Sequence, residues 1–174
     1  MRRTPRVLSE SPQLPGIPLL FCDIDGVISL WGFAPDTRPP GVWTTVDGIP
    51  HFLSTRAAEH LQALTGVFEV VWCTGWEEKA DEHLPGVLGV PSGLPHLTFD
   101  DRTRDHWKLA AVEAWAGSRP MAWIDDAFND ACHAWAAQRA APTLLVPTEP
   151  HMGLGDAEAA ALRAFAQRVA AERR

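Results

Sequence analysis

The chain contains little lysine and no tyrosine. Of its 174 residues, 15 are basic, and only Lys79 and Lys108 of these are lysines. A phosphate-binding P-loop needs a Gly-Lys pair, whereas Glu78 and Trp107 precede the two lysines here, so a P-loop is excluded. The 22 acidic residues give a formal net charge of −7 and a pI near 5.4. This balance argues against a protein that binds nucleic acid mainly by bulk charge.

Cysteines and long apolar stretches are also scarce. Cys22, Cys73 and Cys132 are widely spaced and form no C-x-x-C pair, which is typical of reduced core thiols in a cytoplasmic protein. No apolar run approaches the ~20 residues needed to cross a bilayer, so no membrane partner is expected. Residues 1–15 combine arginines with prolines and have no apolar stretch behind them. They are predicted to be a disordered leader, followed by a single domain over residues 16–174.

Short apolar runs alternate with helical patterns along this domain. The predicted strands cover residues 18–25, 68–73, 97–99, 121–124 and 143–146. The predicted helices cover residues 54–66, 77–84, 103–117 and 127–139 and a last segment that begins at Asp156. Ser54 and Asp156 are expected to cap their helices, and Thr103 or a residue near it is expected to start another. The alternation predicts an α/β, Rossmann-like fold with a central parallel sheet of about five strands and helices on both faces.

One segment interrupts the alternation. Between residues 29 and 53, Asp47-Gly48 separates two strand-like runs, and Asp-Gly in that setting is a strong β-hairpin signal. Because the segment directly follows the first strand, it is predicted to be a small β-hairpin flap that lies over the functional site expected at the end of that strand.

Three of the predicted strands end in polar residues. Asp23 and Asp25 close the first strand, Thr74 follows the second, and Asp125 with Asp126 follows the run at 121–124. Ligand sites of open parallel sheets lie beyond the carboxyl ends of the strands. We therefore expect these side chains to meet at one edge of the sheet.

The spacing of the first two acids suits phosphate chemistry. In an extended segment, residues i and i+2 point to the same side, so Asp23 and Asp25 could face one substrate. One carboxylate can attack phosphorus and form an aspartyl phosphate. The other can protonate the leaving oxygen and later deprotonate water. A loop of solvated acids at a strand end is the alternative interpretation.

The remaining strand-end residues could hold a cation and a phosphate. Asp125 and Asp126, together with Asp23, offer the oxygen ligands that Mg²⁺ prefers, although acids are also common at helix N-termini because of the helix dipole. The Thr74 hydroxyl and the backbone N–H groups from Gly75 onward could bind phosphate oxygens at a helix N-terminus. A simple helix cap would explain the threonine equally well.

Lys108 is the most informative single residue. Lys108, Ala111, Val112 and Trp115 form one helical stripe, which predicts that the lysine faces the sheet. A buried ammonium group needs a partner, and a phosphate bound beside a carboxylate cluster would supply one. The alternative is a lysine at the end of the stripe that reaches solvent.

Taken in order along the chain, these four motifs resemble those of the haloacid dehalogenase-like (HAD) superfamily of phosphatases, over nearly all of residues 17–146. The resemblance implies that Asp23 is the nucleophile and a Mg²⁺ ligand. It implies that Asp25 is the general acid/base, with its backbone carbonyl on the metal. Thr74 and Lys108 would hold the phosphoryl oxygens. Asp125 would bind Mg²⁺, and Asp126 would bind it directly or lie just behind.

The resemblance also suggests what the protein acts on. No large cap is inserted between the motifs, which is similar to the capless members that act on phosphates presented by bulky substrates. The Thr-Gly-Trp and Trp-Ile-Asp-Asp segments resemble small bacterial HAD domains, including those within multidomain RNA repair proteins. The implied activity is a Mg²⁺-dependent phosphatase acting on a small molecule or a nucleic-acid end. A catalytically silent HAD-like binding module and a phosphotransferase are the alternatives.

Three tryptophans have two interpretations. Trp31, Trp43 and Trp76 lie in the flap segment or directly after Thr74 and could stack on a base or sugar. Packing in the core is the commoner use of tryptophan. The sequence leaves both interpretations open, and it does not reveal the oligomeric state.

Overall fold

The structure, a computed structural model, describes residues 16–100 and 105–172. Over these ranges the strands are β1 (Leu19–Cys22), β2 (Ser29–Leu30), β3 (Gly41–Val46), β4 (Ile49–Ser54), β5 (Glu69–Trp72), β6 (Met121–Asp125) and β7 (Thr143–Pro147). The helices are α1 (Thr55–Leu64), α2 (Lys79–Leu88), α3 (Leu109–Ala116), α4 (Asp130–Gln138) and α5 (Asp156–Ala171). The predicted leader at residues 1–15 lies outside the described residues. Within the described ranges, no helix is long and apolar enough to cross a membrane.

A four-stranded parallel sheet forms the centre of the fold, in the order β5-β1-β6-β7. Every residue of β1 is buried, because side chains on both sides of the sheet are covered. Leu20 and Cys22 pack into a core with α1 and α5, whereas Leu19 and Phe21 pack into a second core with α3 and α4. The continuous apolar run of β1 therefore follows from its position between two layers. The predicted α/β fold with a parallel sheet is confirmed.

The sheet has four named strands instead of about five. Residues 97–99, predicted as a strand, are not paired as one: only His96 forms a single bridge with Trp72. The Leu97 N–H group donates to the Trp72 carbonyl at 2.9 Å, and the ladder stops there. Leu97 and Phe99 are nonetheless buried. Their apolar character reflects packing against the core, which a short run cannot distinguish from strand pairing.

The predicted hairpin is confirmed. Strands β3 and β4 pair antiparallel and, with β2, form a second sheet in the order β2-β4-β3. Asp47 and Gly48 both have positive φ, 51° and 80°, as a two-residue hairpin turn of type I′ requires. The pairing register places Thr44 and His51 on one face and Trp43 and Phe52 on the other. We call β3, β4 and their turn the flap.

The helix boundaries agree with the sequence only where a local signal exists. Ser54 caps α1 as predicted, with its hydroxyl accepting the Ala57 N–H group at 3.1 Å. Helix α2 runs through Pro85, where it was predicted to end, because a proline removes only one N–H donor and the first residue in the left-handed region is Gly89, with φ of 68°.

Helices α3 and α4 begin later than predicted, and α5 begins close to its predicted start. The expected start at Thr103 lies outside the described residues, and α3 begins at Leu109, after bends and turns at residues 105–108. Helix α4 begins at Asp130 instead of Ala127, because the Asn129 side chain accepts the Cys132 N–H group and caps the helix there. Asp156 was predicted to cap the last helix, which is wrong by one residue: Gly155 is the cap, and Asp156 is the first residue of α5.

Candidate active site

The carboxyl ends of three adjacent strands meet, as the sequence predicts. Asp23 follows β1, Asp125 ends β6, and Thr74 comes two residues after β5. Backbone hydrogen bonds continue past the strand ends and hold these segments in line: the Cys73 N–H group donates to the Cys22 carbonyl at 2.8 Å, and the Asp23 N–H group donates to the Ile124 carbonyl at 3.1 Å. The side chains therefore project from one edge of the sheet.

Lys108 lies at the centre of this edge. Its Nζ atom is 2.9 Å from Oδ2 of Asp23 and 2.6 Å from Oδ2 of Asp125. All three side chains are almost completely buried. One ammonium group thus bridges carboxylates from two neighbouring strands. Both ion pairs are short and buried, unlike a typical ion pair at the protein surface.

The inward direction of Lys108 is confirmed, but its cause differs from the predicted stripe. Lys108 precedes α3 instead of lying within it, and Trp115, predicted to share its face, is partly exposed. The loop before the helix carries the lysine into the site. His106 holds that loop: its Nδ1 accepts the Lys108 N–H group at 3.3 Å, and its Nε2 donates to the Ala127 carbonyl at 3.0 Å. Burial lowers the pKa of His106, in accord with the neutral ring that this pattern requires.

Neighbouring groups also orient the two buried carboxylates. Asp23 Oδ1 accepts the N–H group of Ile24 at 2.8 Å. Asp125 accepts the Trp123 indole N–H at 3.2 Å on Oδ2 and the Ala127 N–H group at 3.0 Å on Oδ1. Neither carboxylate can turn away from Lys108 without breaking these hydrogen bonds.

The electrostatics of the cluster reflect burial opposed by charge pairing. Burial raises the pKa of Asp23 above its ordinary value, while Lys108 opposes that shift. Burial works against the charged form of Lys108, but Asp23 and Asp125 outweigh it, so the pKa of Lys108 is raised. Burial and the neighbouring Asp125 raise the pKa of Asp126. Lys108 alone does not offset the effect of burial on the pKa values of Asp23 and Asp126, and a further cation would favour the ionised form of these two carboxylates.

Asp126 completes a group that could hold a metal ion. Asp23, Asp125 and Asp126 each offer a carboxylate oxygen, and these atoms lie within 4.8 Å of one another. With Lys108 as their cationic partner, the three acids retain two negative charges when ionised, which matches a divalent cation. Hard oxygen ligands suit Mg²⁺. The donor set therefore fits the predicted metal.

Gly26 allows Asp126 to reach this position. Its φ is +75°, and a Cβ atom built there would lie 2.3 Å from Oδ2 of Asp126. The sequence predicts a sharp backbone turn at Gly26, and the left-handed φ agrees with it. The close approach of Asp126 is a second constraint that the sequence does not reveal. Thr148 supports the same turn by donating from its hydroxyl to the Gly26 carbonyl at 2.8 Å.

Asp25 differs from the other acids because its side chain is about half exposed, at 48%. Its Oδ2 atom accepts the indole N–H of Trp76 at 3.1 Å. His51, carried by the flap, lies beside it, with Nδ1 at 4.0 Å from Oδ1 of Asp25. The same Nδ1 is 2.9 Å from the hydroxyl of Ser29.

Thr74 is fully buried, and its surroundings differ from the predicted helix N-terminus. Residues 75–78 form a turn with Glu77 at φ 50°, and α2 begins only at Lys79. The Thr74 hydroxyl accepts the Trp76 N–H group at 3.3 Å. The Trp107 ring lies 3.6 Å from where a Cβ atom on Gly75 would be, so the turn lies beside the lysine loop at ordinary van der Waals distance. Any phosphate-binding N–H groups here belong to a turn.

The sequence did not reveal several residues of the site. His51 and Thr148 are distant in sequence from the site residues they contact, His106 contacts Lys108 from two residues away, and no sequence pattern points to any of the three. For Trp76 the sequence leaves stacking and packing open; the side chain is buried, and its indole N–H donates to Asp25, a contact that neither interpretation predicts. Trp31 and Trp43 are exposed, at 49% and 61%, and Trp43 lies on the flap face opposite His51, directed away from Asp25.

The fold and the arrangement at the strand ends define a HAD-like domain. Residues 19–159 match the family described as the HAD domain in Swiss Army Knife RNA repair proteins, and the chain belongs to that family. Among solved structures, the chain is similar to a Vibrio cholerae protein to which a 3-deoxy-D-manno-octulosonate 8-phosphate phosphatase activity is ascribed. The TM-score is 0.44 at 20% identity, over 90% of this chain and 87% of that chain. No curated protein matches the chain.

Proposed function

We propose that this HAD domain is a Mg²⁺-dependent phosphomonoesterase that works through an aspartyl phosphate on Asp23. The observation that carries the proposal is the buried Lys108 ammonium group, which contacts both Asp23 and Asp125. A lysine and two acids without a further role would be a costly arrangement for a core, because burying charges is unfavourable even when they are paired. A site that must receive an anionic phosphoryl group explains them.

The proposed reaction has two steps, formation of an aspartyl phosphate and its hydrolysis. In the first, a carboxylate oxygen of Asp23 attacks phosphorus, the bond from phosphorus to the leaving oxygen breaks, and Asp25 gives its proton to that oxygen. In the second, Asp25 takes a proton from water while the water oxygen attacks phosphorus. The bond from phosphorus to Asp23 then breaks, which restores the Asp23 carboxylate and releases inorganic phosphate.

The remaining residues bind and orient the phosphoryl group. Lys108 and the Thr74 hydroxyl would hold its oxygens, together with the backbone N–H group of Gly75. The carboxylates of Asp23, Asp125 and Asp126 and the backbone carbonyl of Asp25 would hold Mg²⁺. When bound, the metal would neutralise negative charge on the carboxylates and on the phosphoryl oxygens.

We propose a nucleic-acid end as the substrate class, with a small phosphorylated molecule as the alternative. The family is described from RNA repair proteins. Between Asp25 and Thr74 the chain forms the small β2-β4-β3 sheet, α1 and β5 without a large cap, which leaves room for a bulky substrate. We also propose a cytoplasmic location, because the three cysteines are buried and unpaired, as in proteins of reducing compartments.

Hydrolysis of 4-nitrophenyl phosphate tests the reaction. Wild-type protein with Mg²⁺ should turn over, and excess EDTA or the Asp23→Asn variant should abolish activity. Asp36→Asn, which changes an exposed acid outside the site, is the matched control. Mg²⁺-dependent binding of phosphate without turnover would instead favour a silent binding module.

A substrate panel then tests the substrate class. Oligonucleotides with a 3′- or 5′-phosphate, mononucleotides and sugar phosphates should be compared by kcat/KM, and the phosphorylated ends should be preferred. Transfer of phosphate to an added alcohol in place of water would identify a phosphotransferase.

A further inference from the structure

Among the described residues, the Asp25 side chain is held by a single hydrogen bond. In the part of the chain that the structure describes, the Trp76 indole is the one hydrogen-bond donor to the Asp25 carboxyl group, at 3.1 Å on Oδ2. Because this side chain is half exposed, little packing restrains it. The orientation of the group that would protonate the leaving oxygen therefore depends on the indole.

Trp76 itself is fixed from two sides. Its backbone N–H donates to the Thr74 hydroxyl at 3.3 Å, which ties it to the loop after β5. Its ring meets the His51 ring edge-on, with centroids 4.7 Å apart. His51 is anchored in turn by the Ser29 hydroxyl at 2.9 Å, so the flap supports the indole from the other side.

The chemistry of the indole determines where the acid proton sits. An indole N–H only donates, so the oxygen that it contacts must accept. In the acid form of Asp25, the proton therefore belongs on Oδ1, and Oδ2 remains bonded to Trp76. The same contact leaves Oδ1 free to take a proton from water in the second step.

We propose that Trp76 is the positioning residue of the general acid/base, orienting Asp25 through its indole N–H, and that His51 holds Trp76 in place from the flap. This inference rests on the proposed phosphatase function. It adds a role for Trp76, which the resemblance left without one, and for His51, and it links the flap to proton transfer.

The Trp76→Phe variant tests the inference, because it keeps an aromatic ring beside His51 and removes the N–H donor. It also removes one ring of the indole, and that loss of packing should affect both of the substrates below equally. Two substrates report on the acid: glycerol 2-phosphate has a poor leaving group that needs a proton, whereas 4-nitrophenolate leaves without one. The comparison uses kcat/KM, which includes cleavage of the phosphorus–oxygen bond but not the later attack of water. We expect about a tenfold loss or more on glycerol 2-phosphate and less than about threefold on 4-nitrophenyl phosphate, because general acid help is worth about 10²–10⁴-fold.

A matched control and a double-mutant cycle separate positioning from a merely structural role. Trp135→Phe also removes an indole hydrogen bond to a carboxylate, Glu113 at 3.2 Å, and should leave both substrates within about twofold of wild type. In an Asp25→Asn background, Trp76→Phe should cause no further selective loss on glycerol 2-phosphate, since the acid is already absent. His51→Ala should give a weaker form of the same leaving-group split.

The outcomes distinguish this inference from the proposed function. If wild-type protein hydrolyses phosphate esters and Asp23→Asn does not, but Trp76→Phe lowers kcat/KM equally on both substrates, the positioning role is wrong and the phosphatase stands. A fully additive loss in the Asp25→Asn background would overturn it too. Absence of phosphatase activity in the wild type would overturn the proposed function instead.

Discussion

The proposed role of Lys108 requires an ammonium group, and a cation of another shape should not replace it. It contacts Asp23 and Asp125 from a completely buried position, so a replacement must reach the same two oxygens without extra volume. Arginine is planar, larger and forked, and it cannot act as a compact point charge. We predict that Lys108→Arg lowers kcat/KM on 4-nitrophenyl phosphate by about tenfold or more, measured by steady-state kinetics.

Lys79→Arg is the control for that change. Lys79 is exposed and pairs with Asp47 at the tip of the flap, where an arginine can form the same ion pair. Its activity should remain within about twofold of wild type. A loss in Lys79→Arg with none in Lys108→Arg would mean that the phosphate-binding lysine has been assigned wrongly.

Gly26 permits the Asp126 carboxylate to approach the other acids. Gly26→Ala would meet Asp126 at 2.3 Å while holding an unfavourable φ of +75°. We predict that this variant needs at least about tenfold more Mg²⁺ for half-maximal activity, since a displaced ligand weakens metal binding. We expect the variant also to lose about 1–2 kcal/mol of stability to backbone strain and the clash.

Gly93→Ala separates the two effects. Gly93 has nearly the same φ, +78°, but a Cβ atom there would meet nothing within 4 Å. It should lose a similar amount of stability to strain and keep the wild-type Mg²⁺ requirement. An unchanged Mg²⁺ requirement in Gly26→Ala would contradict the placement of Asp126 as a ligand.

At the scale of elements, Ser54 connects the flap to the helix that follows it. It is the last residue of β4 and the cap of α1, and its buried hydroxyl accepts the Ala57 N–H group. We predict that Ser54→Ala lowers the free energy of unfolding by about 1 kcal/mol in urea denaturation, because that N–H group loses its partner. Thr65→Ala removes a hydroxyl at the other end of α1, where the Gln62 carbonyl can bond to water, and should cost less than about 0.5 kcal/mol. Equal losses would argue against capping.

Two local features of these elements could be predicted from the sequence. The Ser54 cap and the Asp47-Gly48 turn were predictable, because the signal and the structure lie within a few residues. The strand-end acids were predictable for another reason: parallel strands bring their carboxyl ends together whatever the intervening chain does. The inward direction of Lys108 was predicted from a helical stripe, whereas the loop before α3 carries it into the site.

The failures have the opposite character. Burial of Leu97 and Phe99 looks like a strand in the sequence, because packing and pairing select the same residue types. His51 and Trp76 meet only because the flap folds back on the loop after β5, and nothing in either segment encodes that contact. Such long-range contacts are set by the packing of the whole domain.

At the scale of the whole molecule, the protein is acidic, and part of its negative charge lies in a carboxylate cluster that could bind a cation. The net charge is −7, and three carboxylates of the site lie within 4.8 Å of one another. We predict that Mg²⁺ raises the melting temperature by several degrees, since a ligand at one hundred times its Kd stabilises the fold by about 2.7 kcal/mol. Differential scanning fluorimetry with and without Mg²⁺ measures this effect independently of activity.

Asp126→Asn should lose most of the Mg²⁺-dependent increase, because it removes one ligand and leaves both contacts of Lys108 intact. Asp36→Asn should keep the full increase. The metal assignment would fail if Asp126→Asn retained the wild-type increase.

The Asp25→Asn variant offers the most direct measurement of whether Asp23 becomes phosphorylated, because it retains the nucleophile and lacks the base that activates water. Mixed rapidly with 4-nitrophenyl phosphate and Mg²⁺, this variant should release a burst of nitrophenol approaching one per enzyme. Acid quenching and peptide mass spectrometry should then locate one added phosphoryl group on Asp23. Continued turnover by wild-type protein with no burst in the variant and no phosphoryl group on Asp23, or with the group on another residue, would contradict the account.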